Sequence, residues 1–266
     1  MKSEELSSFT KELLQQGRYC FEKKEALNRL GSSTQAFANA TNRLAKKTEI
    51  ALVKEGFYII IPPQYQSLGC LPVDWFIDDL MKYLAQPYYI SLLSAASYYG
   101  ATHQQPQKFQ IMTNKQTRPI TIGKISIEFI TNRRMPCIGI KQINSYTSQI
   151  NVSCPELTII DVCNYSEHSG YIHNVAQIIS DLADSIDLTL LDNVLSETHV
   201  KKTVLQRLGF LLELTDNKKI SDIVYKYLSL KKPINYIWLA PSENLDILEK
   251  DKRWKVNINE RVELDT

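Results

Sequence analysis

Six side chains between Gln35 and Lys47 have the types and spacing to hydrogen-bond nucleic-acid base edges: Gln35, Asn39, Asn42, Arg43, Lys46 and Lys47. Gln and Asn pair bidentately with adenine; Arg and Lys reach guanine or a phosphate oxygen. On a 3.6-residue helix, positions 35, 39, 42, 43 and 46 fall on one face. Phe37, Ala40, Thr41 and Leu44 fall on the other. A polar outer stripe alone is also what a solvated amphipathic helix shows. The segment after it decides between these readings, and Lys54 there is a seventh candidate, for phosphate.

Other residue types that do chemistry are present without the spacing that chemistry needs. His168 and His173 lie near Cys163, but the spacing fits no common zinc set and Gly170 interrupts a shared helix. Asp78 and Asp79 are adjacent, so on a helix they diverge by about 100° and read as helix charge. His103 sits in a polar loop as a contact candidate. No nucleophile elbow, P-loop or dinucleotide fingerprint occurs. The five cysteines, Cys20, Cys70, Cys137, Cys154 and Cys163, are scattered and read as free thiols. No catalytic residue, metal or cofactor is expected.

The elements that must position the polar stripe can be read around it. Residues 22–30 place Ala26, Leu27 and Leu30 at helical spacing. Gly31 ends that helix, since glycine enters the left-handed region cheaply. Ser32, Ser33 and Thr34 are N-cap candidates for the helix over residues 35–47. Then come an apolar run at 50–53, Lys-Glu-Gly at 54–56 and an apolar run at 57–61. This pattern predicts a hairpin with Gly56 in the turn. Helix, turn, helix and hairpin is the outline of a winged helix-turn-helix, whose second helix enters the major groove. A helix over residues 4–16 would pack across the pair, with Tyr19 and Phe21 leading into the next helix.

The 266 residues allow two domains, and 44% apolar with 23% charged residues is a globular composition. Pro62 and Pro63 cannot continue a sheet ladder, so a boundary is expected there, with residues 1–63 as the winged helix and 64–266 as a larger α+β domain. Helices are predicted over 74–85, 91–99 and 155–162. Tyr88-Tyr-Ile is open between strand and helix entry. Short strands at 108–113, 120–122, 125–130, 137–141 and 150–153 predict a small, mainly antiparallel sheet. Helices at 171–183, 189–195, 200–214 and 220–230 follow, and residues 234–262 return to extended structure. Ten Lys and Arg against seven Asp and Glu give residues 1–61 a net +3, and the rest −1, of a total of +2. Glu243, Asp246, Glu249 and Asp251 suggest an acidic C-terminal surface. No run approaches the roughly 20 apolar residues of a membrane span, and the N-terminus lacks a signal-peptide core. A cytoplasmic protein is therefore expected.

Seven stretches in order along the chain resemble the AbiEi family, antitoxins of AbiE-type (type IV) toxin–antitoxin systems. They are GFYIIIPPQY from Gly56, WFIDDLM from Trp75, PYYISLLSAA from Pro87, GATHQQPQKF from Gly100, SCPELTIID from Ser153, QRLGFLLE from Gln206 and RWKVN from Arg253. The resemblance implies a bacterial winged-helix repressor of its own promoter, binding repeats in duplex DNA. It also implies phage defence and a cognate nucleotidyltransferase-like toxin, antagonised through the C-terminal domain. It supplies no catalytic residues, and base contacts do not transfer. Two readings stand beside it: a catalytic second domain, nucleotidyltransferase-like or hydrolytic, targeted by the winged helix, and a protein-interaction scaffold.

Overall fold

The structure, a computed structural model, describes residues 3–102, 107–231, 233–241 and 246–264. By contacts the chain divides into two compact units. The first is Met1–Tyr89 with Gln107–Met135 and Gln142–Asn151; the second is Ile90–Pro106, Pro136–Lys141 and Val152–Thr266.

The chain opens with α1 (Ser3–Gln15), β1 (Cys20–Glu22), α2 (Lys23–Leu30), α3 (Thr34–Lys46), β2 (Ile50–Lys54) and β3 (Phe57–Ile60). The three strands form a sheet of order β1-β3-β2, with β3 antiparallel to both neighbours. This is winged helix-turn-helix topology. Its core is made of Leu6, Phe9 and Leu13 of α1 with Phe21, Ala26, Phe37, Leu44, Ile50 and Ile60, all buried. The rings interlock: Phe21 stacks on Tyr58 at 5.3 Å and meets Phe9 edge-on at 5.5 Å. Each such ring pair adds about 0.5–1.5 kcal/mol beyond area burial. Strand β1 was not foreseen. Phe21 owes its burial to pairing with β3, thirty-odd residues on, which no local pattern records.

The first unit continues through α4 (Ile77–Tyr83), and β4 (Tyr88–Ile90) follows. A helix, α5 (Leu92–Tyr98), precedes β5 (Phe109–Thr113), β6 (Ile120–Ile122), β7 (Ile125–Thr131), β8 (Ile140–Asn144) and β9 (Gln149–Ser153). Tyr88-Tyr-Ile is thus a strand, and the strand expected at 137–141 lies three residues further on. The six strands run in the order β6-β7-β5-β4-β9-β8. The sheet is mixed: β5 is parallel to β7, β4 is parallel to β9 and β6 is antiparallel to β7. Period-2 alternation reports burial, not strand direction, so the parallel pairs were not legible. Asp78 and Asp79 are structural. Asp78 accepts from Tyr88 Oη at 3.2 Å and Asp79 from the Cys20 thiol at 3.0 Å.

In the second unit α6 (Pro155–Asn164) is buried along nearly its whole length. Around it lie α7 (Tyr171–Leu182), α8 (Leu188–Glu197), α9 (Lys202–Leu214) and α10 (Lys218–Ser229). Glu156, almost fully buried, accepts the Asp187 N–H at 2.7 Å, just ahead of α8. A small sheet closes the unit, with β12 (Val256–Ile258) between β10 (Ile237–Trp238) and β11 (Glu249–Asp251). The α+β class read from the sequence holds.

All five cysteines are free, and Cys137 alone among them is exposed. Burial pushes the thiols of Cys70, Cys154 and Cys163 from 9.0 up to about 12. An aromatic disulfide reagent should therefore titrate one thiol rapidly in the native protein and five after denaturation. The same shifts fix the sign of an alkaline effect. Unfolded thiols ionise near 9.0 and the folded ones near 12, so their stabilising contribution is intact below pH 9 and is lost as pH climbs toward 12. Denaturation midpoints measured across that window should fall monotonically.

Candidate nucleic-acid interface

Helix α2 ends at Gly31, whose φ of +56° is left-handed. Two residues on, Ser33 caps α3, its Oγ accepting the Ala36 N–H at 3.2 Å. This is one of the three caps expected, and it satisfies a donor that has no partner within the helix. The inner stripe, Phe37, Ala40, Thr41 and Leu44, is buried, and the Thr41 hydroxyl donates back to the Phe37 carbonyl at 3.0 Å.

With the inner stripe fixed, the outer one follows. Gln35, Asn39, Asn42, Arg43, Lys46 and Lys47 are all exposed, and Lys54 at the end of β2 is half-buried. Gln35 Nε2 lies 3.5 Å from Asn39 Oδ1, one turn along. Helix α3 carries no carboxylate, and Arg43 and Lys46 stand in its last turn. Cations there complement the negative end of the helix dipole, so their position costs the fold nothing. The result is a ridge of amides and cations about 11 residues long, or roughly 16 Å at 1.5 Å per residue, enough to follow a major groove.

The wing tip is held from two sides. Lys23 N donates to Gly56 O at 2.8 Å, and Tyr83 Oη donates to Glu55 O at 2.7 Å. Gly56 has φ +81°, and a Cβ there would lie 2.6 Å from Tyr83 Oη. Gly56→Ala is expected to cost about 1–3 kcal/mol, measured by chemical denaturation, because backbone strain and the clash add. Tyr83→Phe beneath it should recover part of the loss.

Several residues around this module escaped the sequence reading. Arg18 grips Glu25 bidentately at 2.7 and 2.9 Å, tying β1's approach to α2. A cleft of about 490 Å³ lies between α2 and the wing tip, lined by Lys23, Lys24, Asn28, Glu55 and Tyr83. The Lys-Lys pair at the start of α2 was the available signal. His173 Nε2 sits 2.7 Å from Glu260 Oε1 and Cys163 is buried, so the His168–His173–Cys163 trio is not assembled. Among the described residues no group of three His, Cys, Asp or Glu side chains is arranged to hold a metal ion. His103 and Glu243 lie outside the described residues. Among the described residues no helix is long and apolar enough to cross a membrane.

Two of the family-resembling stretches meet in the second unit. Gln206 Nε2, buried, lies 2.9 Å from the carbonyls of Asn235 and Trp254 and 3.1 Å from that of Lys255. Arg207 Nε donates to the Trp238 and Leu239 carbonyls, and Trp254 Nε1 to Glu213 at 2.8 Å. QRLGFLLE and RWKVN are thus the two halves of one joint, between α9 and the closing sheet.

Fold and face together define a winged helix-turn-helix protein with an α+β continuation. Residues 89–214 match the family model of the AbiEi antitoxin C-terminal domain, so the resemblance carried by the motifs is borne out over that segment. That segment is similar to an antitoxin domain, and the likeness supports an antitoxin of a toxin–antitoxin system. It is also similar to the crystal structure of the Rv2827c protein from Mycobacterium tuberculosis, with a TM-score of 0.64 and 15% identity over 95% of this chain and 90% of that one. At that identity the likeness speaks for the fold. None of the curated proteins compared matches the chain.

Proposed function

We propose that this protein is a DNA-binding antitoxin that represses its own promoter and counteracts a nucleotidyltransferase-like toxin. In this reading residues 1–63 are the reader and 64–266 the effector portion, acting in the cytoplasm. The observation that carries the reading is the outer face of α3, five exposed amides and cations on a helix with no carboxylate, with exposed Lys47 at its C-cap. Gln35, Asn39, Asn42 and Arg43 address base edges, while Lys46, Lys47 and Lys54 neutralise phosphates. The AbiEi domain match supports the toxin-directed half.

The test is retardation of labelled DNA from immediately upstream of the protein's own reading frame. The full chain should bind it about a thousandfold more tightly than unrelated duplex. Equal affinity for both would remove the repressor reading. Lys54→Ala should weaken binding to every duplex alike and lower the slope of log affinity against log salt by about one. The toxin-directed half is checked by co-expression with the neighbouring reading frame's product. Rescue of growth by the full chain is the expected outcome, and its absence would refute that half.

A further inference from the structure

We propose that the first unit holds a nucleotide-binding cavity at the carboxyl ends of β5 and β7. The strands run parallel, in register from Phe109↔Ile127 to Thr113↔Thr131, so both carboxyl ends lie side by side. Strand β6 pairs only with Ile125, Ser126 and Ile127 of β7. The chain from β5 to β6 must therefore cross the end of β7 and run beside its second half before β6 begins at Ile120. In doing so it bows around a cavity of about 730 Å³. Ligands in open sheets with parallel strands bind at such carboxyl ends.

The cavity is preformed. The hydroxyls of Thr113 and Thr117 both lie 3.1 Å from Gln86 Oε1, which pins the start and the middle of the bowed segment. Asn114, Lys115 and Thr117 line it from the segment, Phe129 and Arg133 from β7 and its continuation. Phe129 and Thr131 are two apart on β7, so the strand's period of two brings them to one side, and Arg133 lines the cavity from the bend just after the strand.

Three features define the ligand. First, the charge at the mouth is uncompensated. Lys115 and Arg133, which line it, are exposed, and among the described residues neither has an ion-pair partner. The one carboxylate between residues 113 and 135, Glu128, accepts from Gln110 at 3.1 Å and faces Lys108 at 3.7 Å. Uncommitted Lys and Arg at a cavity mouth fit phosphate. Second, Asn114 Oδ1 is shut off from solvent and accepts no hydrogen bond. An amino group on a ligand would supply the missing donor. Third, the volume lies within the roughly 300–1,000 Å³ of small-molecule pockets, far more than inorganic phosphate fills. A nucleoside phosphate satisfies all three, its phosphates at Lys115 and Arg133, its base against Phe129 with an amino group toward Asn114.

The test is calorimetric titration of the full chain with the four common ribonucleoside triphosphates, inorganic phosphate and a short single-stranded oligonucleotide. At least one amino-bearing nucleotide should bind with a dissociation constant of about 100 μM or tighter. Lys115→Ala/Arg133→Ala should weaken it at least about tenfold with an unchanged denaturation midpoint, since both side chains are exposed. Asn114→Leu should weaken the amino-bearing nucleotides and leave any uridine nucleotide binding as it was. No binding at about 1 mM, or wild-type affinity in the double variant, would overturn the proposal. So would inorganic phosphate competing at equal concentration, which means a bare anion site. An oligonucleotide held by Lys115 and Arg133 more tightly than any free nucleotide would overturn it in favour of a polymer strand.

Discussion

Trp254→Ala is expected to destabilise the protein by about 3–5 kcal/mol, read as the fall in denaturation free energy followed by circular dichroism. Trp254 is fully buried. Its ring lies on Gly209 so closely that a Cβ there would meet ring carbons at 2.0 and 2.1 Å. That geometry makes a second measurement decisive. Gly209→Ala should cost about 1–3 kcal/mol alone, because the methyl group and the indole cannot share the space. In a Trp254→Ala background the indole is gone and the methyl is free. The double variant should then match Trp254→Ala to within about 0.5 kcal/mol. A full additive penalty in the double variant would place the cost of Gly209→Ala in helix α9 itself. Arg253 beside it pairs with Glu213 and Asp222 at 2.6 Å each, with its guanidinium 4.7 Å from the Tyr225 ring centre. Those contacts are more open to solvent and worth far less than the buried ring.

The same joint shows what the sequence could and could not express. Helix periodicity placed α9, because burial of one face leaves a local imprint, whereas Trp254, expected in extended structure, lies in the turn between β11 and β12. That Gly209 is the glycine under Trp254 is a fact of tertiary approach, and a helical glycine reads only as a weak helix former. The winged-helix core was legible for the opposite reason. Gly31, Ser33 and Gly56 are each forced by a local requirement, a left-handed cap, an N-cap and a turn, and those leave recognisable residue types. Strand β1 and the parallel pairs β5–β7 and β4–β9 were not legible, since pairing partners far along the chain mark neither residue type nor period. The outer face of α3 was read residue by residue because exposure there is the complement of a strongly patterned buried stripe. The cavity beside β7 went unread. Its residues come from two segments with no shared spacing, and only the late start of β6, opposite Ile127, brings them around one space.

Arg43→Ala is expected to weaken binding to the protein's own upstream DNA by about 5- to 150-fold, the 1–3 kcal/mol of a lost bidentate base contact. The stability of the free protein should not change. Arg43 is exposed, and no hydrogen bond or ion pair holds it among the described residues. A loss of affinity can therefore be assigned to the interface. The form of the loss separates roles along the ridge. Arg43→Ala should relax preference at one base pair, so that operator variants at that position bind the altered protein equally. Lys46→Ala and Lys47→Ala, as phosphate contacts, should lower affinity for every sequence and shallow the salt dependence together. Asn39 stands one turn before Arg43, and Asn39→Ala should relax a different position, where adenine is preferred. Wild-type retardation by Arg43→Ala across a salt series would mean that α3 does not read the groove, and that the winged helix meets its partner by another face.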